Sequence, residues 1–110
     1  MPEINIQKLT QDIIAAATGA AKAHAADLQQ YVEAHAKIIA EGAKETASDR
    51  IQNKITDDDV RFAFNQIKES EATSLLAIEV TLKAAAQDAI NAVISVAEAA
   101  INKAVGIALL

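Results

Sequence analysis

Two histidines, His24 and His35, stand 11 residues apart in a chain that has no others. Along a helix that spacing is about 16 Å, too long for both rings to hold one metal ion. Neither belongs to a Glu-x-x-His pattern of the kind that builds di-iron bundles. Asp57, Asp58 and Asp59 form the only acidic triplet and invite a divalent cation. Consecutive helical residues point in different directions, however, and no further acidic residue follows at calcium-loop spacing. The triplet reads better as a helix start. Thr56 can accept from the backbone N–H of Asp59 while Asp59 reaches back to Thr56, with Ile55 and Val60 placed for a hydrophobic staple. Carboxylates in a first turn also meet the positive end of the helix dipole. Glu71 and Glu79 lean toward an apolar face, as residues at a helix edge do. There is no glycine-rich phosphate loop, no nucleophile motif and no cysteine. The expectation is a protein without catalysis, cofactor or metal.

A different chemistry is open to the histidines. Around Leu28 both lie near the centre of one apolar stripe. If assembly buries the rings in neutral form, protonation charges the interface and packing weakens as pH falls. His24 and His35 are therefore candidate pH switches, expected to act between about pH 6 and 5. Glu71, Glu79 and Glu98 are next in line.

The elements that carry these residues follow from alanine, which supplies 26 of 110 positions against one proline and three glycines. Alanine is the best helix former, and Pro2 stands where it interrupts nothing. No period-2 run marks a strand. The chain reads as all-α, a single assembly unit with a helix over about 5–48, a turn over about 49–56 and a helix over about 57–106. The expected shape is an elongated hairpin of two long Ala-rich helices. The alternative is a compact four-helix bundle, with breaks near Gly19 or Gly42 and near Ser70–Ser74.

The second helix gathers Leu75, Ile78, Leu82, Val93, Ala97, Ala100 and Ala104 on one face. Its end, "AINAVISVAEAAINKAVGIALL", carries only Glu98 and Lys103 as charges. Asn91, Ser95, Glu98 and Asn102 draw a polar stripe along it, which argues against a simple transmembrane span but leaves membrane contact open. An extended hairpin of about 70 Å would leave this face in water. Those seven residues are therefore expected to be the interface between copies.

Charge narrows the partners. A net charge of −5 with no basic cluster disfavours nucleic acid and anionic lipid. The first residues lack the pattern of a secretion signal, so a cytoplasmic protein is expected.

The segments "NKITDDDV", "SLLAIEV", "INAV" and "AVGIALL" from Asn53 onward resemble the R-body (killing-trait) subunits. That family is similar in its Asn-x-x-Thr-Asp start, its Ala- and Leu-rich helix and its Gly-Val-rich end. The likeness covers the second half of the chain. It implies a small cytoplasmic subunit that polymerises into coiled ribbons, which extend on acidification and rupture membranes. The function expected is thus a self-assembling, acid-responsive structural subunit forming a ribbon or filament. Its alternatives are a helical adaptor that binds another protein's helix and a membrane-active, pore-forming peptide.

Overall fold

The computed structural model describes residues 4–110. Four α-helices account for most of it: α1 (Ile6–Ala21), α2 (Gln29–Ile51), α3 (Asp57–Ser74) and α4 (Lys83–Val105), with no strand among the described residues. The fold is all-α, as composition requires. Its shape corrects the hairpin and fits the four-helix alternative: both long helices are broken, and the chain folds into a bundle of 44 × 24 × 20 Å.

Each helix start has a local cause. The Asn5 side chain accepts from the Lys8 N–H at 3.0 Å and caps α1. Thr56 Oγ1 accepts from the Asp59 N–H at 3.2 Å, and Asp59 Oδ2 accepts from the Thr56 N–H at 2.9 Å, so α3 opens on a complete capping box. Immediately before it, α2 closes through Asn53 at φ 59°. The Lys54 N–H reaches the Asp49 carbonyl and the Asn53 N–H reaches that of Arg50, the pairing that satisfies the last carbonyls of a helix. Asparagine tolerates this left-handed conformation better than most residues. The α2–α3 turn is therefore locked from both sides.

The Thr56 hydrogen bonds carry the first prediction. Thr56→Ala should cost about 1 kcal/mol, read as a lower urea midpoint. The Thr56 backbone N–H, and secondarily its hydroxyl, hold the Asp59 carboxyl below its ordinary range. A carboxyl lowered in the folded state stabilises above the unfolded pKa of about 3.9 and loses that contribution as pH falls through the folded value. Asp59→Asn should remove this part of the acid limb. An unchanged acid limb would refute the assignment.

The breaks in the long helices have a different origin. α1 ends at Ala21, and Lys22 takes φ 54°, ψ −119° before a 3-10 turn over Lys22–His24. A non-glycine residue there stores about 1–3 kcal/mol of strain. Leu28, at the far end of this turn, is buried to 1% exposure, worth about 1.5–3 kcal/mol, and α2 then packs on α1. Burial wins. The breaks fall close to the places the four-helix alternative gave them, two residues past Gly19 and at Ser74, while Gly42 lies inside α2, where a Cβ would meet Ile67 at 3.5 Å.

α1, α2 and α4 form the tight part of the bundle, with α1 and α4 antiparallel. Their shared core holds Ile13, Ile39 and Ile101 among fully buried alanines such as Ala17, Ala40, Ala89 and Ala97. Small side chains let the axes approach closely. α3 leans on α2 and touches α4 only lightly. Among its apolar residues only Val60 and Phe64 are buried. At the other end of α4, Gly106 turns the chain at φ 89°, and Asn102 Oδ1 accepts from the Leu109 and Leu110 N–H groups at 3.0 and 2.8 Å. Part of the polar stripe thus ties down the tail.

Candidate functional site

The polar residues that converge most closely lie between α2 and α3. Tyr31 and His35 are one turn apart on α2; Glu71 and Ser74 are three apart on α3. Antiparallel packing sets the first pair across from the second. His35 Nδ1 lies 2.9 Å from Glu71 Oε1 with hydrogen-bond geometry. It is also 2.7 Å from Oε2, but off the direction a hydrogen bond needs, so Oε2 is buried without a partner. Glu71 as a whole is only 3% exposed. The Tyr31 ring stacks obliquely on His35 with centroids 4.4 Å apart.

A second chain of bonds closes the cluster. Ser74 Oγ donates to the Glu71 carbonyl at 2.7 Å, which uses its one proton. The Tyr31 hydroxyl therefore donates to Ser74 Oγ, at 2.5 Å. Burial pushes the Tyr31 phenol above its ordinary pKa; the Ser74 hydrogen bond opposes the shift and the Glu71 charge adds to it. The phenol stays protonated and serves as a donor.

An imidazole held by a carboxylate is the arrangement that orients a general base. Here the carboxylate is buried, the serine proton is committed to a backbone carbonyl and the phenol to the serine. The cluster acts as a clamp, holding the outer helix α3 on α2. His35 is its half-buried member and Glu71 the deeply buried one.

The acidic triplet is committed to protein partners. Asp57 accepts from Arg50 Nε at 2.6 Å, Asp58 from Arg61 at 2.9 Å, and Asp59 from the Thr56 N–H. Among the described residues, no group of three or more metal-binding side chains converges. His24 stands apart from His35, exposed in the turn after α1, with Nδ1 3.6 Å from Asp27. The seven residues expected between copies are turned largely inward. Val93, Ala97 and Ala104 are buried in the chain's own core, and Leu75, Ile78, Leu82 and Ala100 pack half-buried against it. They face inward because the broken helices give α4 an intramolecular partner.

What lies outside is a different apolar set. Leu76 and Val80, in the connection between α3 and α4, are 76% and 83% exposed, and Ile38, Phe62 and Ile107 are also open. A groove of about 500 Å³ runs between α1 and α4, floored by Leu9, Val96 and Ala100 and edged by Lys8 and Lys103. Among the described residues, no helix is long and apolar enough to cross a membrane. Compared with known protein families, characterised proteins and solved structures, the chain matches none of them.

Proposed function

We propose that this chain is a non-catalytic structural subunit that associates with copies of itself, forming a helical polymer such as an R-body-like ribbon or filament. The observation that carries the reading is the exposure of Leu76 and Val80 at one end of the bundle. Two large aliphatic side chains four residues apart, both in water, are a cost to a monomer, and covering them with a second copy removes it. The net charge of −5 keeps such subunits dispersed until apolar contact outweighs repulsion.

Acid reaches this unit through the His35–Glu71 clamp. A proton on His35 places a positive ring against the carboxylate and strengthens the α2–α3 contact. A proton on Glu71 removes that attraction. A change of charge that alters the α2–α3 contact would therefore act at this clamp and not at His24, which stands exposed beside Asp27.

The α1–α4 groove favours a second reading, an adaptor that receives a helix of another protein. Light scattering after size exclusion, with negative-stain imaging at neutral and acidic pH, separates the two. The wild type should form oligomers or ribbons, and Leu76→Ser/Val80→Ser should shift them toward monomer. A wild type that stays monomeric at every concentration and pH would refute self-assembly.

A further inference from the structure

The connection from α3 to α4, Leu-Leu-Ala-Ile-Glu-Val-Thr-Leu over residues 75–82, contains neither glycine nor proline. Most of it is already helical in kind: a 3-10 turn over Leu75–Ala77, another over Val80–Leu82, and right-handed dihedrals at Ser74, Leu75 and Lys83. Only Ile78 (φ −82°, ψ 142°) and Glu79 (φ −55°, ψ 142°) are extended. Their φ values suit a helix, so rotation about two ψ angles converts α3, the connection and α4 into one helix from Asp57 to Val105. Sequence periodicity alone favours that continuous helix.

Straightening has one consequence that the chain cannot meet by itself. α4 leaves the surface of α1 and α2, uncovering Ile13, Ala17 and Ile39. A second straightened copy presents an α4 that fits this surface, because it is the same interface. From this we infer that two copies exchange α4, each α4 docking on the α1–α2 pair of its partner, with residues 75–82 as the hinge. The inference rests on the self-association proposed above and concerns its smallest unit, the dimer. The exchanged dimer keeps the core contacts of the monomer and adds hinge contacts. In a straight hinge Leu76 and Val80 share one helix face, and the two hinges of a two-fold dimer lie beside each other. The large apolar residues most exposed in the monomer thereby gain a partner.

Glu79→Pro tests this directly. Its φ of −55° suits proline, and Ile78 before it is already in the extended region that a pre-proline residue prefers. The closed monomer therefore accommodates the substitution, whereas a continuous helix loses a hydrogen bond and meets a steric clash at position 79. The dimer dissociation constant should rise at least about a hundredfold, while the monomer unfolds no more easily than wild type. A second measurement uses Asn65→Cys/Ser95→Cys, two exposed positions in a chain with no native cysteine, spin-labelled and diluted into unlabelled protein. Thirty residues of straight helix separate the labels by about 45 Å, against the 24 × 20 Å cross-section of the closed bundle. A dimer showing the long distance, absent in Glu79→Pro, supports exchange. A dimer showing only the short distance, or one that Glu79→Pro leaves intact, overturns exchange while leaving surface association standing. A wild type with no dimer at any concentration overturns both.

Discussion

Replacing His35 by alanine should lower the stability of the bundle by about 3 kcal/mol, whereas Glu71→Met should leave it near wild type or raise it. The asymmetry follows from burial. Glu71 is almost wholly enclosed, and Oε2 already lacks a hydrogen-bond partner. Without the ring, the carboxylate loses its one side-chain contact and stays in a site that water does not reach. Loss of Glu71 instead leaves an imidazole with a quarter of its side chain in solvent, and methionine fills the space with apolar volume. The double variant His35→Ala/Glu71→Met should recover most of the loss seen in His35→Ala alone. Urea unfolding of the four proteins closes the cycle. Equal and additive single losses would mean that the two residues act independently and that the clamp does not exist.

A larger effect is expected at Ala97. Its side chain is fully buried between α4 and its neighbours, so Ala97→Glu places a carboxylate with no counter-charge and no room in the tightest part of the core. The cost, several kcal/mol, is comparable to the 5–15 kcal/mol that usually holds a domain of this size. Cooperative thermal unfolding by circular dichroism should be lost. Ala100→Glu, half-buried in the groove edged by Lys8 and Lys103, should be much milder, and the exposed Asn91→Glu should stay within about 0.5 kcal/mol. From periodicity alone Ala97 and Ala100 belong to one surface between copies and should respond alike. A folded Ala97→Glu protein that has merely lost its oligomers would restore that view.

The sequence was most legible where a few adjacent residues settle the geometry. "NKITDDDV" specifies its own cap, because each donor and acceptor lies within three residues of its partner. The helix breaks were legible only as an alternative, near Gly19 and Ser70–Ser74, for the opposite reason. Residues 22–28 and 75–82 contain no glycine or proline, and the chain bends there to bury Leu28, Ile39 and Ile101. Gly19 lies two residues before the end of α1, whereas Gly42, which looks equally like a break, sits well inside α2. The clamp stands between these cases. Arg50 pairs with Asp57 across the turn, and counting outward from them in equal steps brings His35 opposite Glu71 within one residue. The register was therefore available once the turn was placed. That Glu71 would be buried was not, because its depth depends on how α3 settles on α2.

The light attachment of α3 divides the molecule energetically. Val60 and Phe64, the partly buried Ile67, the clamp and the Arg50–Asp57 contact hold this helix, while α1, α2 and α4 share the continuous core. Its amides therefore exchange with solvent through a local opening that costs less than global unfolding. The chain has two tiers of protection, and the histidine–glutamate contact belongs to the outer one.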